Sequence, residues 1–134
     1  MTRIQYIVLI AIAATLIMLC RVEVMRGEDP RSANKEALTR DLTNLAYRAQ
    51  DYSRRPASKG GGEGSFAGLT ANAAGLAKLT SKATNSNGTF SISTAGSAVT
   101  VVLHASGTQM GTDGAYLSID ATVLPDSISI TYNN

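Results

Sequence analysis

The sequence is poor in the residues that most often supply chemistry or covalent staples. It has one cysteine, Cys20, so no disulfide can close within the chain and packing must hold the fold. It has one histidine, His104, and no tryptophan. Its five tyrosines and two phenylalanines are too scattered to form a continuous aromatic path. A net charge of +2, with no basic stripe interleaved with aromatics, excludes a nucleic-acid surface. Charge is scarcest in the C-terminal half. Of the 22 charged residues, only Lys78, Lys82, Asp113, Asp120 and Asp126 lie beyond residue 67. The surface left there is neutral, small and hydroxyl-rich, and it suits an extracellular or filament face better than a crowded cytosol.

The same shortages remove most enzyme classes. His104 falls in a strand pattern, where it reads as a solvent-facing or sheet-packed side chain. Cys20 sits in an apolar run, which disfavours its thiolate. The run from Gly60 to Gly64 lacks the Gly-Lys-Ser/Thr ending of a phosphate loop and reads as a linker. Asp113 and Asp120 do not have the spacing of a calcium loop. No catalytic residue, cofactor or metal is expected, and the chain reads as a non-enzyme. Asn87-Gly88-Thr89 fits an N-glycosylation acceptor, and a turn leading into a strand explains it equally well.

What the sequence does have is a long apolar opening. Ile4 to Cys20 is interrupted only by Gln5 and Thr15, and as a helix it spans roughly 25 Å of bilayer. A cleaved secretory signal with Arg3 as its positive region competes for the same residues. A lipoprotein signal ending at Cys20 is disfavoured by Leu19, where such sites require a small residue. Gly27 and Pro30 predict a bend over 22–30, with Asp29 capping a new helix and Pro30 in its first position.

Leu38, Leu42, Leu45, Ala49 and Tyr52 then recur at helical spacing and predict an amphipathic helix to about Ser53. Lys35, Glu36, Arg40, Asp41, Arg48 and Asp51 take its other face. The glycines at 60–64 predict a flexible link, followed by a short helix or irregular lid between Leu69 and Leu79. From Thr89 the period becomes two. Phe90 and Ile92, then Val99, Val101 and Leu103, then Leu117, Ile119, Ala121 and Val123, then Ile128, Ile130 and Tyr132 alternate with polar residues. Turns are expected at Ala95-Gly96 and Pro125-Asp126, with a longer loop from Ser106 to Gly114.

These periods predict an α+β chain. Residues 1–21 form an apolar transmembrane or filament-core helix, 22–57 a bend and an amphipathic helix, 58–88 a linker with an irregular segment, and 89–134 a four-stranded antiparallel meander. The sheet needs a cover for its apolar face, and the helix carrying Leu38 to Tyr52 is the one available.

That order of elements, with the opening MTRIQYIVLIAIAATLIMLC, resembles the type IV pilin family. The stretch NLAYRAQDYSRRPASKGGGEGSF is similar to one in pilin-like proteins of some bacterial lineages. Met1 stands where the family has its methylated first residue, and Ile4 and the run from Ile7 to Leu19 match its apolar pattern. The resemblance implies a subunit that waits in the inner membrane, is cut by a processing peptidase, and is built by pilus assembly machinery into an extracellular homopolymer. The implied filament core is Met1, Ile4, Gln5, Ile7, Val8, Leu9, Ile10, Ala11, Ile12, Leu16, Ile17 and Leu19. Gln5 departs from the family, which usually has a glutamate there to neutralise a neighbour's N-terminal amine. With no carboxylate before Glu23, an amide carbonyl is the best acceptor this chain offers. The family's C-terminal disulfide is also absent. Arg21, Arg26 and Arg31 follow the run while only Arg3 precedes it, which taken alone favours a cytoplasmic domain. The resemblance implies the opposite side. The alternatives are a non-polymeric bitopic membrane protein and a minor pseudopilin of a secretion system.

Overall fold

The computed structural model describes Gln5 and residues 29–134. The predicted apolar helix and most of the predicted bend lie outside them. Among the described residues, no helix is long and apolar enough to cross a membrane.

The first long element is α1, Pro30–Arg54. Asp29 begins it as expected: its carboxylate accepts from the Arg31 N–H at 3.3 Å and its carbonyl from the Ala33 N–H at 3.0 Å, with proline next in line. Leu38, Leu42, Leu45, Ala49 and Tyr52 are all buried, together with Ala46. This stripe lies on a single sheet of β1 (Gly88–Thr94), β2 (Val101–Met110), β3 (Tyr116–Val123) and β4 (Ile128–Tyr132). The strands run in the order β1-β2-β3-β4, and each pair is antiparallel, giving a meander. Phe90, Ile92, Val101, Leu103, Ala105, Leu117, Ile119, Ala121 and Val123 point at the helix and complete the core. Strict alternation made one face apolar, and a helix with a matching stripe is what removes that face from water. The chain is an α+β fold with a helix laid across a four-stranded antiparallel sheet.

Between α1 and the sheet, Phe66, Leu69, Leu76 and Leu79 close one end of the core. Leu76 belongs to a short helix, α2 (Ala73–Ala77), whose N-cap Asn72 accepts from the Gly75 N–H at 2.9 Å.

Four details differ from the sequence reading. The glycine run is wound onto the end of α1 instead of forming a free link. A 3₁₀ turn at Ala57–Lys59 leads into it, and the N–H groups of Gly62, Glu63 and Gly64 bond the carbonyls of Tyr52, Arg55 and Ser53. These are carbonyls that a helix end leaves without partners. A side chain at Gly61 would overlap the Arg55 carbonyl, so glycine is required by that close approach. Second, β2 runs on to Met110 through residues expected to be loop, because the strand continues past a register shift between Ser106 and Met110. Asn34 takes the N–H groups of Thr108 and Gln109 across the shift, and pairing resumes at Met110 with Tyr116. Third, Val99 is 62% exposed. It lies in a turn in which the Ser97 hydroxyl accepts from the N–H groups of Val99 and Thr100, so it precedes the strand it was assigned to. Fourth, Tyr132 is 46% exposed at the sheet margin. The Lys35 ammonium stands 4.2 Å from its ring centroid, a cation–π contact that occupies the face meant for the core.

Candidate functional site

The far face of the sheet is turned away from α1. Its inner neighbours fix its composition by alternation: Thr89 and Ser91 on β1, Val102, His104 and Ser106 on β2, Ser118, Asp120 and Thr122 on β3, Ser129 and Thr131 on β4. No described element covers it. Hydroxyls dominate, and one histidine–carboxylate pair sits in the middle.

That pair is His104 and Asp120, which face each other across β2 and β3. His104 Nδ1 lies 2.6 Å from Asp120 Oδ1. An ionised carboxylate only accepts, so Nδ1 carries the proton of this bond. The second carboxylate oxygen, Oδ2, accepts from the Asn133 amide at 2.9 Å. Partial burial works to raise the carboxyl pKa, but the bonds from Asn133 and His104 outweigh it and hold the group below the usual range. A His–Asp pair is a catalytic motif only when it activates a third group. Here Nδ1 and both carboxylate oxygens are engaged with the fold, so the pair works as a cross-strand tie.

A second polar cluster forms between α1 and the segment before β1. Asp41 Oδ2 accepts from the Asn85 amide at 2.9 Å and the Asn87 amide at 2.7 Å. A cleft of about 240 Å³ opens beside it, lined also by Asn44, Arg48 and Lys82. Arg48 bonds the Leu79 carbonyl at 3.2 Å. The amide nitrogen that a glycan would need at Asn87 is therefore committed to Asp41.

The residues expected to pack helix on sheet are brought together as a buried stripe. The expected core residues Met1, Ile4, Ile7, Val8, Leu9, Ile10, Ala11, Ile12, Leu16, Ile17 and Leu19 lie outside the described residues, and Gln5 is helical and exposed. Sequence reasoning missed two buried polar residues on the same stripe. The side-chain oxygen of Asn34 accepts from the N–H groups of Thr108 and Gln109 at 3.0 and 3.1 Å, while its amide donates to the Asn87 carbonyl at 2.7 Å. Near the other end, the Gln50 amide donates to the carbonyls of Leu124 and Ser127 at 2.8 and 3.3 Å. The available signal was position: Asn34 lies one helical turn before Leu38, on the apolar side.

Among the described residues, no group of three or more histidine, cysteine or acidic side chains could hold a metal. No protein-family model matches the chain, and neither does any curated protein or solved structure.

Proposed function

We propose that this chain is a structural subunit of an extracellular type IV pilus-like filament and polymerises through the apolar segment that precedes α1. The observation carrying this reading is the order of parts. An apolar run at 4–20, broken only by Gln5 and Thr15, comes before a capped helix in the sequence, and that helix spends its own apolar stripe on an antiparallel sheet. The apolar stripe of α1 is thus used up on the sheet of the same chain. In hydrocarbon such a run associates through small residues, here Ala11, Ala13 and Ala14. Outside the bilayer, each buried Leu or Ile contributes roughly 1.5 to 3 kcal/mol, so the run must stay among copies of itself. A head-to-tail contact of that kind does not close and gives a filament. Pilus assembly machinery and a processing peptidase are the partners this role requires, with the inner membrane as the site before assembly. The neutral hydroxyl face supports a structural role over a catalytic one.

Electron microscopy of the purified full chain after detergent removal is the test. Polymers with a helical repeat are expected, and monomers alone would reject the reading. A second reading, a non-polymeric bitopic protein using the same anchor, is favoured by the three arginines that follow the run, which taken alone place the domain on the cytoplasmic side; a minor pseudopilin differs from the first reading mainly in copy number. In the bitopic case, charging Ala11 to Ala14 changes membrane retention and no assembly is seen. N-methylation at Met1, found by mass spectrometry, would favour the filament family.

A further inference from the structure

The two edges of the sheet are not alike. On β1, the Phe90 N–H donates to the Ala83 carbonyl at 2.7 Å, the Gly88 carbonyl accepts from the Asn85 N–H at 2.9 Å, and Thr84 bridges to Thr89. That edge is covered along its first half by the chain's own residues. On β4, the bonds Leu124 N–H to Ser127 carbonyl and Asn133 N–H to Ser118 carbonyl fix which residues face β3. By the alternation of an antiparallel ladder, Ser129 and Thr131 also turn their backbone groups inward. Ile128, Ile130 and Tyr132 therefore point both N–H and C=O outward, and no described residue bonds them.

Proteins usually guard such an edge by keeping it very short or with lysine, proline, inward charge or a bulge, and of these β4 has only its five-residue length. From Ser127 to Asn134 the sequence SISITYNN carries no charge and no proline, and the pairing with β3 has no register shift. Residues 133 and 134 do not shield the edge either, since Asn133 bonds Ser118 and Asp120, and Asn134 bonds Ser118, Asp113 and Tyr116.

We infer that two copies of this chain pair through β4, antiparallel and centred on Ile130, so that two four-stranded sheets join into one. The register follows from parity. With Ile130 opposite the partner's Ile130, Ile128 falls opposite the partner's Tyr132, and every residue with outward backbone groups meets another of the same kind. A one-residue slip would set outward groups against inward ones and lose the ladder. The alternative of β4 joining a second copy's β1 is opposed by the Ala83–Asn85 cover, which occupies the first half of that edge. A two-fold contact needs only that one patch match itself.

Side chains agree with this register. Ile128 and Ile130 are half-buried, and the pairing sets tyrosine against isoleucine, a favourable aromatic–aliphatic cross-strand pair. A groove of about 450 Å³ between the flank of α1 and Tyr132, lined by Ser32, Lys35, Glu36, Thr39 and Arg40, leaves room at this margin for the partner's Ile128. A five-residue strand is short for a stable interface, so a single contact is weak, and it becomes strong only where copies are arrayed. Combined with the filament reading, the pairing joins neighbouring filaments side by side in opposite directions.

The test uses the full chain in detergent micelles with Cys20→Ala. Opposed residues in a bonded antiparallel pair have Cα atoms about 5.5 Å apart, within disulfide range. Under mild oxidation, Ile130→Cys is expected to give linked dimers, while Thr94→Cys, exposed on β1, gives only a collisional background. Adding Ser129→Lys with Thr131→Lys places like charges opposite each other across the two-fold axis, on side chains that face solvent. Dimer yield should fall about tenfold while the variant keeps a cooperative melt, whose midpoint shifts with the lysine placed opposite Asp120. Equal linking at positions 94 and 130, or linking that survives the lysines, overturns the pairing. Filaments in micrographs without linking at 130 reject the pairing alone, and linking without filaments rejects the filament reading alone.

Discussion

Asn34, in the second turn of α1, holds the far end of β2 by accepting at one oxygen from the N–H groups of both Thr108 and Gln109. The two N–H groups lie next to the register shift in the β2–β3 hairpin, where the ladder offers them no partner strand. Asn34 is 8% exposed, and the two bonds it accepts are partly buried. Asn34→Ala should cost about 1 to 3 kcal/mol by chemical denaturation, the penalty for buried groups left unbonded. Gly107→Val should be at least as damaging, since its first side-chain atom would lie 2.5 Å from the Asn34 oxygen.

Leu42 is fully buried at the middle of the helix–sheet contact, and Tyr47 on the opposite side of α1 is 60% exposed. Leu42→Ala is expected to destabilise by about 2 to 5 kcal/mol through lost contact and a residual cavity. Tyr47→Ala should stay within about 0.5 kcal/mol. Thermal and urea melts of the two variants side by side check the contrast.

Asp120 links stability to pH. Its folded carboxyl is held below the ordinary value of about 3.9, so the ionised form favours the native state. That contribution is complete above the ordinary carboxyl range and disappears as pH falls through the lowered folded value. Asp120→Asn should therefore differ from the parent at pH 7 and converge with it in strong acid. Asp113, which accepts from the Ala115 N–H and the Asn134 amide, has the same sign of shift, so Asp113→Asn should show a limb of the same direction. Urea titrations from pH 7 to pH 2 separate the two.

Asn87 should carry no glycan in the folded protein, although its tripeptide fits the acceptor pattern. The amide nitrogen donates to Asp41 at 2.7 Å and the residue is only partly accessible. Intact-mass measurement after expression in a glycosylating host should find the position unmodified. Asp41→Ala leaves both Asn85 and Asn87 without their shared acceptor and is expected to cost about 1 to 3 kcal/mol.

The fold was legible wherever a period was long enough to count. Leu38 to Tyr52 kept helical spacing for four turns, and Leu117 to Val123 alternated without a break, so both elements and their inward faces could be read directly. Contacts that join distant residues could not be read this way. Asn34 and Gln50 looked like ordinary polar side chains because their acceptors and donors lie some 74 residues on. The His104–Asp120 tie needs the β2–β3 register, which no single strand encodes. The glycine run was misjudged because its role is to let N–H groups reach back to α1, a demand set by the helix end and not by its own composition. Val99 shows the converse error, since apolar character alone drew it into a strand that starts two residues later.

The placement of the two amide clamps has a mechanical consequence. Asn34 secures one end of α1 to the β2–β3 hairpin, and Gln50, with Arg54 on the Pro125 carbonyl, secures the other to the β3–β4 turn. Tension arriving at Asp29 therefore meets anchors at both ends of the strut and is shared along its length as sliding load. Peeling it away one turn at a time would require the nearer anchor to fail first.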